Sequence, residues 1–152
     1  MKTAIYGAGS LGTVLGAYLS KAGVDVDLIT RNKEHVDAMN KGGAKIIGTV
    51  NMTVPVHALT PDQMTEKYEL IILLTKQLDN ENILRNLEKN MTDDCIVCTL
   101  QNGLPELSVS KVVGEDRTMG CTVAWGATLH GKGVSELTSE PDSMSFGLGR
   151  MN

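Results

Sequence analysis

Six residues near the amino terminus, Gly7-Ala8-Gly9-Ser10-Leu11-Gly12, have the G-x-G-x-x-G spacing that lets a backbone take up a pyrophosphate. Each glycine has its own task. Gly7 permits the tight turn, Gly9 leaves no β-carbon in the path of a phosphate, and Gly12 lets the following helix lie close on a sheet. The helix start adds free N–H groups and a partial positive charge. The spacing carries this meaning only between a strand and a helix. Residues 2–6 read as that strand, and Leu11, Leu15, Tyr18 and Ala22, recurring at intervals of three and four, read as the helix.

A second chemical signal follows the next strand. Dinucleotide sites that take NAD usually place an acidic residue there, to hold the ribose 2′-hydroxyl. This chain reads Leu28-Ile29-Thr30-Arg31-Asn32-Lys33, with Arg31 nineteen residues beyond Gly12. A guanidinium at that position can grip a 2′-phosphate bidentately and stack on the adenine, which predicts NADP(H) as the cofactor. Lys33 adds diffuse positive charge. In open α/β sheets the ligand lies across the carboxyl ends of the strands. Three further segments fall there: Thr75-Lys76, Gln101-Asn102-Gly103 and Trp125-Gly126. Lys76 can meet ribose hydroxyls or a substrate carboxylate, and Asn102 can offer a donor and an acceptor. From position alone, Lys76 serves equally as a solvated helix-start lysine and Asn102 as a helix cap.

The elements that must position these residues alternate strand and helix. The first helix is expected to end near Ala22, with Gly23 beyond it. Residues 24–29 form the second strand, and Asn32 caps a short helix to about residue 40 that Gly42-Gly43 breaks. Val50, Met52, Val54 and Val56 alternate with polar residues as a half-exposed strand, with residues 45–47 as its partner. Thr60-Pro61-Asp62-Gln63 has the form of a capping box opening a short helix. The run Leu70-Ile71-Ile72-Leu73-Leu74 fits a parallel strand buried on both faces. Then follow a helix at 79–89, a strand at 95–100, a helix at 105–113 stopped by Gly114, and a strand at 118–124. After Trp125, short strands at about 133–137 and 145–148 are expected to add antiparallel edges. The fold class is therefore α/β, a Rossmann-type doubly wound parallel sheet with antiparallel edge strands at its carboxyl-terminal end.

Composition narrows the function classes. The formal charge of −4 argues against nucleic acid or an anionic membrane as partner. No apolar run approaches a membrane span, and Met1-Lys2 runs straight into the first strand, so no signal peptide and a cytoplasmic location are expected. With eight Met and few aromatics, the core is expected to be aliphatic and Met-rich. Three cysteines suggest a reducing compartment. Cys95 and Cys98 are spaced C-x-x-C, but three residues along a strand put them on opposite faces, which rules out a redox pair or shared metal. His35, His57 and His130 have no partners at ligand spacing and are expected at the surface or in loops. No metal site is expected.

Taken together, the glycine turn, Thr30-Arg31, Thr75-Lys76 and Gln101-Asn102-Gly103 resemble the amino-terminal domain of the ketopantoate reductase (2-dehydropantoate 2-reductase) family, over essentially the whole chain. The resemblance implies that Gly7 to Gly12 hold the cofactor pyrophosphate, that Arg31 binds the NADPH 2′-phosphate, and that Lys76 and Asn102 line the cleft near nicotinamide and substrate. It implies reduction of a 2-oxo acid, 2-dehydropantoate to pantoate, on the route to pantothenate and coenzyme A. Relatives carry a second, helical domain that supplies the proton donor. Residues 1–152 then form the dinucleotide domain alone, inactive by itself, with self-association expected. Asp79 departs from relatives that use an amide there. Two alternatives remain: a reductase of the same superfamily acting on another 2-oxo acid, and a nucleotide-sensing regulatory domain. The latter usually keeps an acidic residue where Arg31 stands.

Overall fold

The computed structural model describes residues 1–75, 79–101, 105–143 and 146–150, with Ser143 and Phe146 described by backbone alone. Lys76 and Asn102 lie outside the described residues. The first strand, β1 (Thr3–Tyr6), runs through the glycine turn into helix α1 (Ser10–Lys21), which ends as expected at Gly23, with φ +88°. There follow β2 (Val26–Ile29), α2 (Lys33–Gly42), β3 (Ala44–Gly48), β4 (Met52–Val54) and β5 (His57–Leu59). The chain continues through β6 (Tyr68–Leu73), α3 (Asn80–Leu87), β7 (Met91–Thr99), α4 (Pro105–Val113) and β8 (Thr118–Val123). It closes with β9 (Ala127–Gly131), β10 (Val134–Leu137) and β11 (Phe146–Arg150).

The main sheet has the order β11-β8-β7-β6-β1-β2-β5, parallel throughout except for β11, which pairs antiparallel with β8. The strand order reverses between β1 and β6, where Tyr6 lies beside Leu73. That reversal is the crevice where open α/β sheets bind ligands. Alternate residues of the central strands enter separate cores, because successive side chains point to opposite faces. Tyr6, Ile71 and Leu73 pack with Leu84, Val97 and Val109 beneath α3 and α4. Ile5, Leu28 and Ile72 pack with Val14 and Met39 beneath α1 and α2.

The carboxyl-terminal half corrects the expectation in one respect. β11 is the antiparallel edge strand anticipated, but β10 does not join the main sheet. It pairs parallel with β3 and antiparallel with β9, in a separate four-stranded sheet of order β4-β3-β10-β9. That sheet covers the outer side of α1, so the helix is buried on two sides. Its closest packing uses small residues, Gly12, Thr13, Gly16 and Ala17, while Leu11, Leu15 and Tyr18 are half-buried. A β-carbon on Gly16 would lie 2.5 Å from the Leu28 side chain, so the helix meets the sheet with no room for a larger residue. Val54 and Val56, expected in one strand, are parted by Pro55, and the chain then enters β5 in the main sheet. The capping box at Thr60 forms, the Thr60 N–H donating to Gln63 Oε1 at 2.9 Å, but it opens only a 3-10 turn, Pro61–Gln63. The core is aliphatic as expected. Its buried methionines among the described residues are Met39, Met64 and Met91, so it is less Met-rich than the composition suggests.

Candidate dinucleotide-binding site

The glycine turn has the three properties its spacing implies. Gly7 has φ +109°, and a β-carbon there would meet the Thr75 nitrogen at 2.8 Å, so the turn and the end of β6 touch backbone to backbone. A β-carbon on Gly12 would lie 2.8 Å from the Gly7 carbonyl oxygen and 3.2 Å from Ile5, so α1 can approach β1 only through a glycine. At Gly9 nothing among the described residues lies within 4 Å of that position, and the space is open among them. Gly9 is also the N-cap of α1, where no side chain caps the helix and the first turn holds no acidic residue. The uncapped amides and the helix dipole face this open space, an arrangement suited to phosphate oxygens.

From the turn a cleft of about 300 Å3 runs along the ends of β1, β2 and β6, past Ile29, Thr30, Arg31 and Thr75, with Asp79 and Ile83 on its far wall. It adjoins a second hollow of about 420 Å3 formed by Arg31 and Lys33 on one side and Thr60, Asp62 and Gln63 on the other. Arg31 is exposed at the boundary of both. Two local bonds fix its loop: the Asn32 N–H donates to Thr30 Oγ1 at 3.3 Å, and the His35 N–H donates to Asn32 Oδ1 at 3.1 Å, the N-cap expected. Its guanidinium has no ion-pair or hydrogen-bond partner among the described residues, whereas Lys33 pairs with Asp37 at 3.4 Å. On the cleft floor the Thr75 hydroxyl is buried with no hydrogen-bond partner among the described residues. A buried orphan of this kind calls for a polar ligand or water. The residues present therefore fit a phosphorylated dinucleotide: an open cradle at Gly9, an unsatisfied hydroxyl, and a free guanidinium at the far end.

Asp62 is a feature the sequence reading did not find. The 3-10 turn brings its carboxylate to the rim opposite Arg31, where the Thr60 hydroxyl holds it below the usual carboxylate range. Lys76 and Asn102 were expected to line the cleft. Their flanking residues, Thr75 and Gln101, are joined by an amide network that no spacing or motif announces. Gln101 Nε2 donates to the Thr75 carbonyl and, at 2.9 Å, to Asn80 Oδ1, while Asn80 Nδ2 donates back to Gln101 Oε1 at 2.9 Å. The hydroxyl of Thr99 donates to the same Oε1 at 2.9 Å, and Asn80 Nδ2 reaches Ser108 on α4 at 3.0 Å. Thr75 and Gln101 are thus both tied to the first turn of α3. Trp125 is buried in the core beneath α1, away from the cleft lining.

His57 and His130 are at the surface as expected, paired with Asp27 and Glu136 at 2.6 Å each. His35 is not: it is 1% exposed, between α1 and the second sheet. The cysteines behave as the strand geometry implies. Burial raises the Cys95 thiol to about 11 and the Cys98 thiol to about 12, and both are free. Among the described residues no three His, Cys, Asp or Glu side chains form a metal-binding group, and no helix is long and apolar enough to cross a membrane.

Comparison with known proteins gives one consistent result. The family described as ketopantoate reductase PanE/ApbA matches residues 3–150. The chain is 37% identical over 137 residues to the 2-dehydropantoate 2-reductase of Pyrococcus horikoshii, covering 90% of this chain and 44% of that protein. It is 31% identical over 135 residues to the enzyme of the same name from Streptococcus pyogenes, covering 88% and 44%. A solved D-mandelate dehydrogenase, in ternary complex with NADH and anilino(oxo)acetate, superposes with a TM-score of 0.88 at 28% identity, over 100% of this chain and 49% of that one. The 2-dehydropantoate 2-reductase of Geobacter metallireducens shares the fold, with a TM-score of 0.87 at 24% identity, over 99% and 49%. The chain spans less than half the length of the curated relatives it matches.

Proposed function

Since the chain belongs to the ketopantoate reductase PanE/ApbA family, we propose that residues 1–152 are the NADP(H)-binding domain of a reductase that converts a 2-oxo acid to its 2-hydroxy acid. The first candidate substrate is 2-dehydropantoate, the substrate in the names of the curated relatives. NADPH, when bound, supplies the hydride for the carbonyl carbon.

The residues of this chain do the holding. The amides at the open end of α1 take the pyrophosphate, with Gly9 giving it room. Arg31 takes the 2′-phosphate, and this assignment rests on one observation above the others: its guanidinium stands without a partner among the described residues where the two hollows meet. Lys76 and Asn102 are assigned to the cleft near the nicotinamide, next in sequence to Thr75 and Gln101, which the Gln101–Asn80 amide pair ties together. The proton for the carbonyl oxygen comes from the additional domain that the relatives' length accommodates, so these 152 residues bind NADPH without turning over substrate.

A second reading keeps the chemistry and changes the substrate. The D-mandelate dehydrogenase neighbour contains NADH, and Asp62 places a carboxylate beside the ribose end of the cleft. Another 2-oxo acid, with NADH as a competent cofactor, fits these features. Paired titrations of the protein with NADPH and NADH separate the two: a clear preference for NADPH supports the first, and equal affinity the second. Sustained, substrate-dependent loss of NADPH absorbance by the isolated chain would overturn the assignment of the proton donor to another domain.

A further inference from the structure

His35 is buried yet has a complete set of partners, and their chemistry fixes its protonation. The Gly133 backbone N–H, which can only donate, lies 2.7 Å from His35 Nδ1. Nδ1 must therefore be the bare acceptor nitrogen, and the ring proton sits on Nε2. Nε2 lies 2.9 Å from Thr13 Oγ1, so the imidazole donates and the hydroxyl accepts. The Thr13 hydroxyl proton is then free to point at the carbonyl of Ala8, in the glycine turn, at 3.4 Å. A continuous, one-directional chain of donors runs from the β9–β10 hairpin through His35 and Thr13 to the turn. A second link lies beside it: the fully buried Ser135 of β10 donates to the Ser10 carbonyl at 2.8 Å.

We propose that His35 is a positioning residue for the phosphate-binding turn, joining it to the second sheet. The inference rests on the dinucleotide reading of that turn. Its physical basis is the planar trans peptide, in which C=O and N–H point in opposite directions. Anchoring the Ser10 carbonyl on β10 aims the Leu11 N–H out of the open end of α1. Anchoring the Ala8 carbonyl holds the peptide that enters Gly9. The amides that meet a phosphate are thus set before any ligand arrives, and the cost of ordering them is met in folding. The partners of the ring are neutral. The charged pair that joins the same two elements, Glu34 and Lys132 at 3.2 Å, stands outside in solvent, as does the Lys33–Asp37 pair of α2. Protonating Nδ1 would set a second donor against the Gly133 N–H and break the chain at its hairpin end.

Nuclear magnetic resonance on the ligand-free chain tests the coupling without any cofactor. As pH falls from neutral through the imidazole range, the amide signals of Gly9, Ser10 and Leu11 are expected to move in step with the His35 ring. In Thr13→Val, which keeps the shape and removes the hydroxyl, that concerted movement disappears and NADPH binds about 3- to 10-fold more weakly. Thr13→Ser, which restores the hydroxyl, recovers both. Turn amides that ignore the His35 titration, or a folded Thr13→Val with unchanged affinity, would overturn the proposal. Should Thr13→Val fail to fold, the wild-type titration still decides. A wild type that shows the coupled shifts but binds neither NADPH nor NADH would confirm the linkage and reject the cofactor reading instead.

Discussion

Gly7 and Thr75 meet backbone to backbone: a β-carbon on Gly7 would lie 2.8 Å from the Thr75 nitrogen. Gly9, two residues on, meets nothing among the described residues within 4 Å. The two glycines therefore answer differently to the same substitution. Gly7→Ala combines a positive φ with a backbone clash and is expected to cost about 1–3 kcal/mol of stability. Gly9→Ala costs about 1 kcal/mol or less but fills the phosphate approach, so dinucleotide binding is lost while the protein stays folded. Urea unfolding and NADPH titration of both variants check this. Similar effects of the two on either measurement would contradict the division of labour in the turn.

Arg31 offers a free guanidinium, and its removal is expected to act on one cofactor. Arg31→Ala should weaken NADPH by about 10- to 150-fold, the worth of charge-assisted hydrogen bonds to a phosphate. NADH, lacking the 2′-phosphate, should change little. The NADPH preference should also fall with added salt, since the site is exposed. Equal losses for both cofactors would remove the 2′-phosphate from Arg31.

The Gln101–Asn80 pair separates support from chemistry. Asn80→Ala removes the buried partner of two Gln101 hydrogen bonds, leaving that amide only Thr75 and Thr99, and is expected to cost about 1–3 kcal/mol in urea unfolding. Lys76→Ala and Asn102→Ala, made in a full-length relative that carries both segments, are expected to lower kcat far more than stability. An Asn102→Ala variant whose main effect is a stability loss of about 1 kcal/mol would mark that residue as a helix cap.

Acid should loosen the fold through His35. Burial holds its imidazole below the ordinary value of 6.5, so on acidification the unfolded chain takes up the proton first. Stability from this group is whole above about 6.5 and declines as pH falls from there towards the lower folded-state value. The urea midpoint of the wild type should fall between about pH 7.5 and 5.5 by more than that of His35→Gln. Parallel curves for the two proteins would show that another group carries the dependence.

What the sequence made legible, and what it hid, follows from the range of the interactions. The glycine turn, α1, β6 and α4 announce themselves through local signals: apolar runs, periodicity, and glycines or caps at the ends. The fate of β10 was hidden because its neighbour β9 is mostly exposed, and Ala127 and Leu129 are too few apolar residues to mark a buried strand face. β5 has three residues, too few for a period. His35 sits among Lys33, Glu34 and Asp37, and resembles a solvated residue until Gly133, 98 positions away, arrives as its partner. Asp62 comes to line the same hollow as Arg31 only through a turn whose direction is tertiary.

The parallel pairing of β3 with β10 sets Ala44–Gly48 beside Val134–Leu137, and this has a kinetic consequence. Closing so long a loop is slow relative to forming the neighbouring strand-helix units. As the chain leaves the ribosome, β1, the glycine turn and α1 emerge well before β10, and Leu11 and Leu15 stay uncovered until it docks. The amides of α1 should accordingly gain protection from hydrogen exchange late in refolding, together with those of β10 rather than with those of β1. An early element of this domain is finished by one made much later.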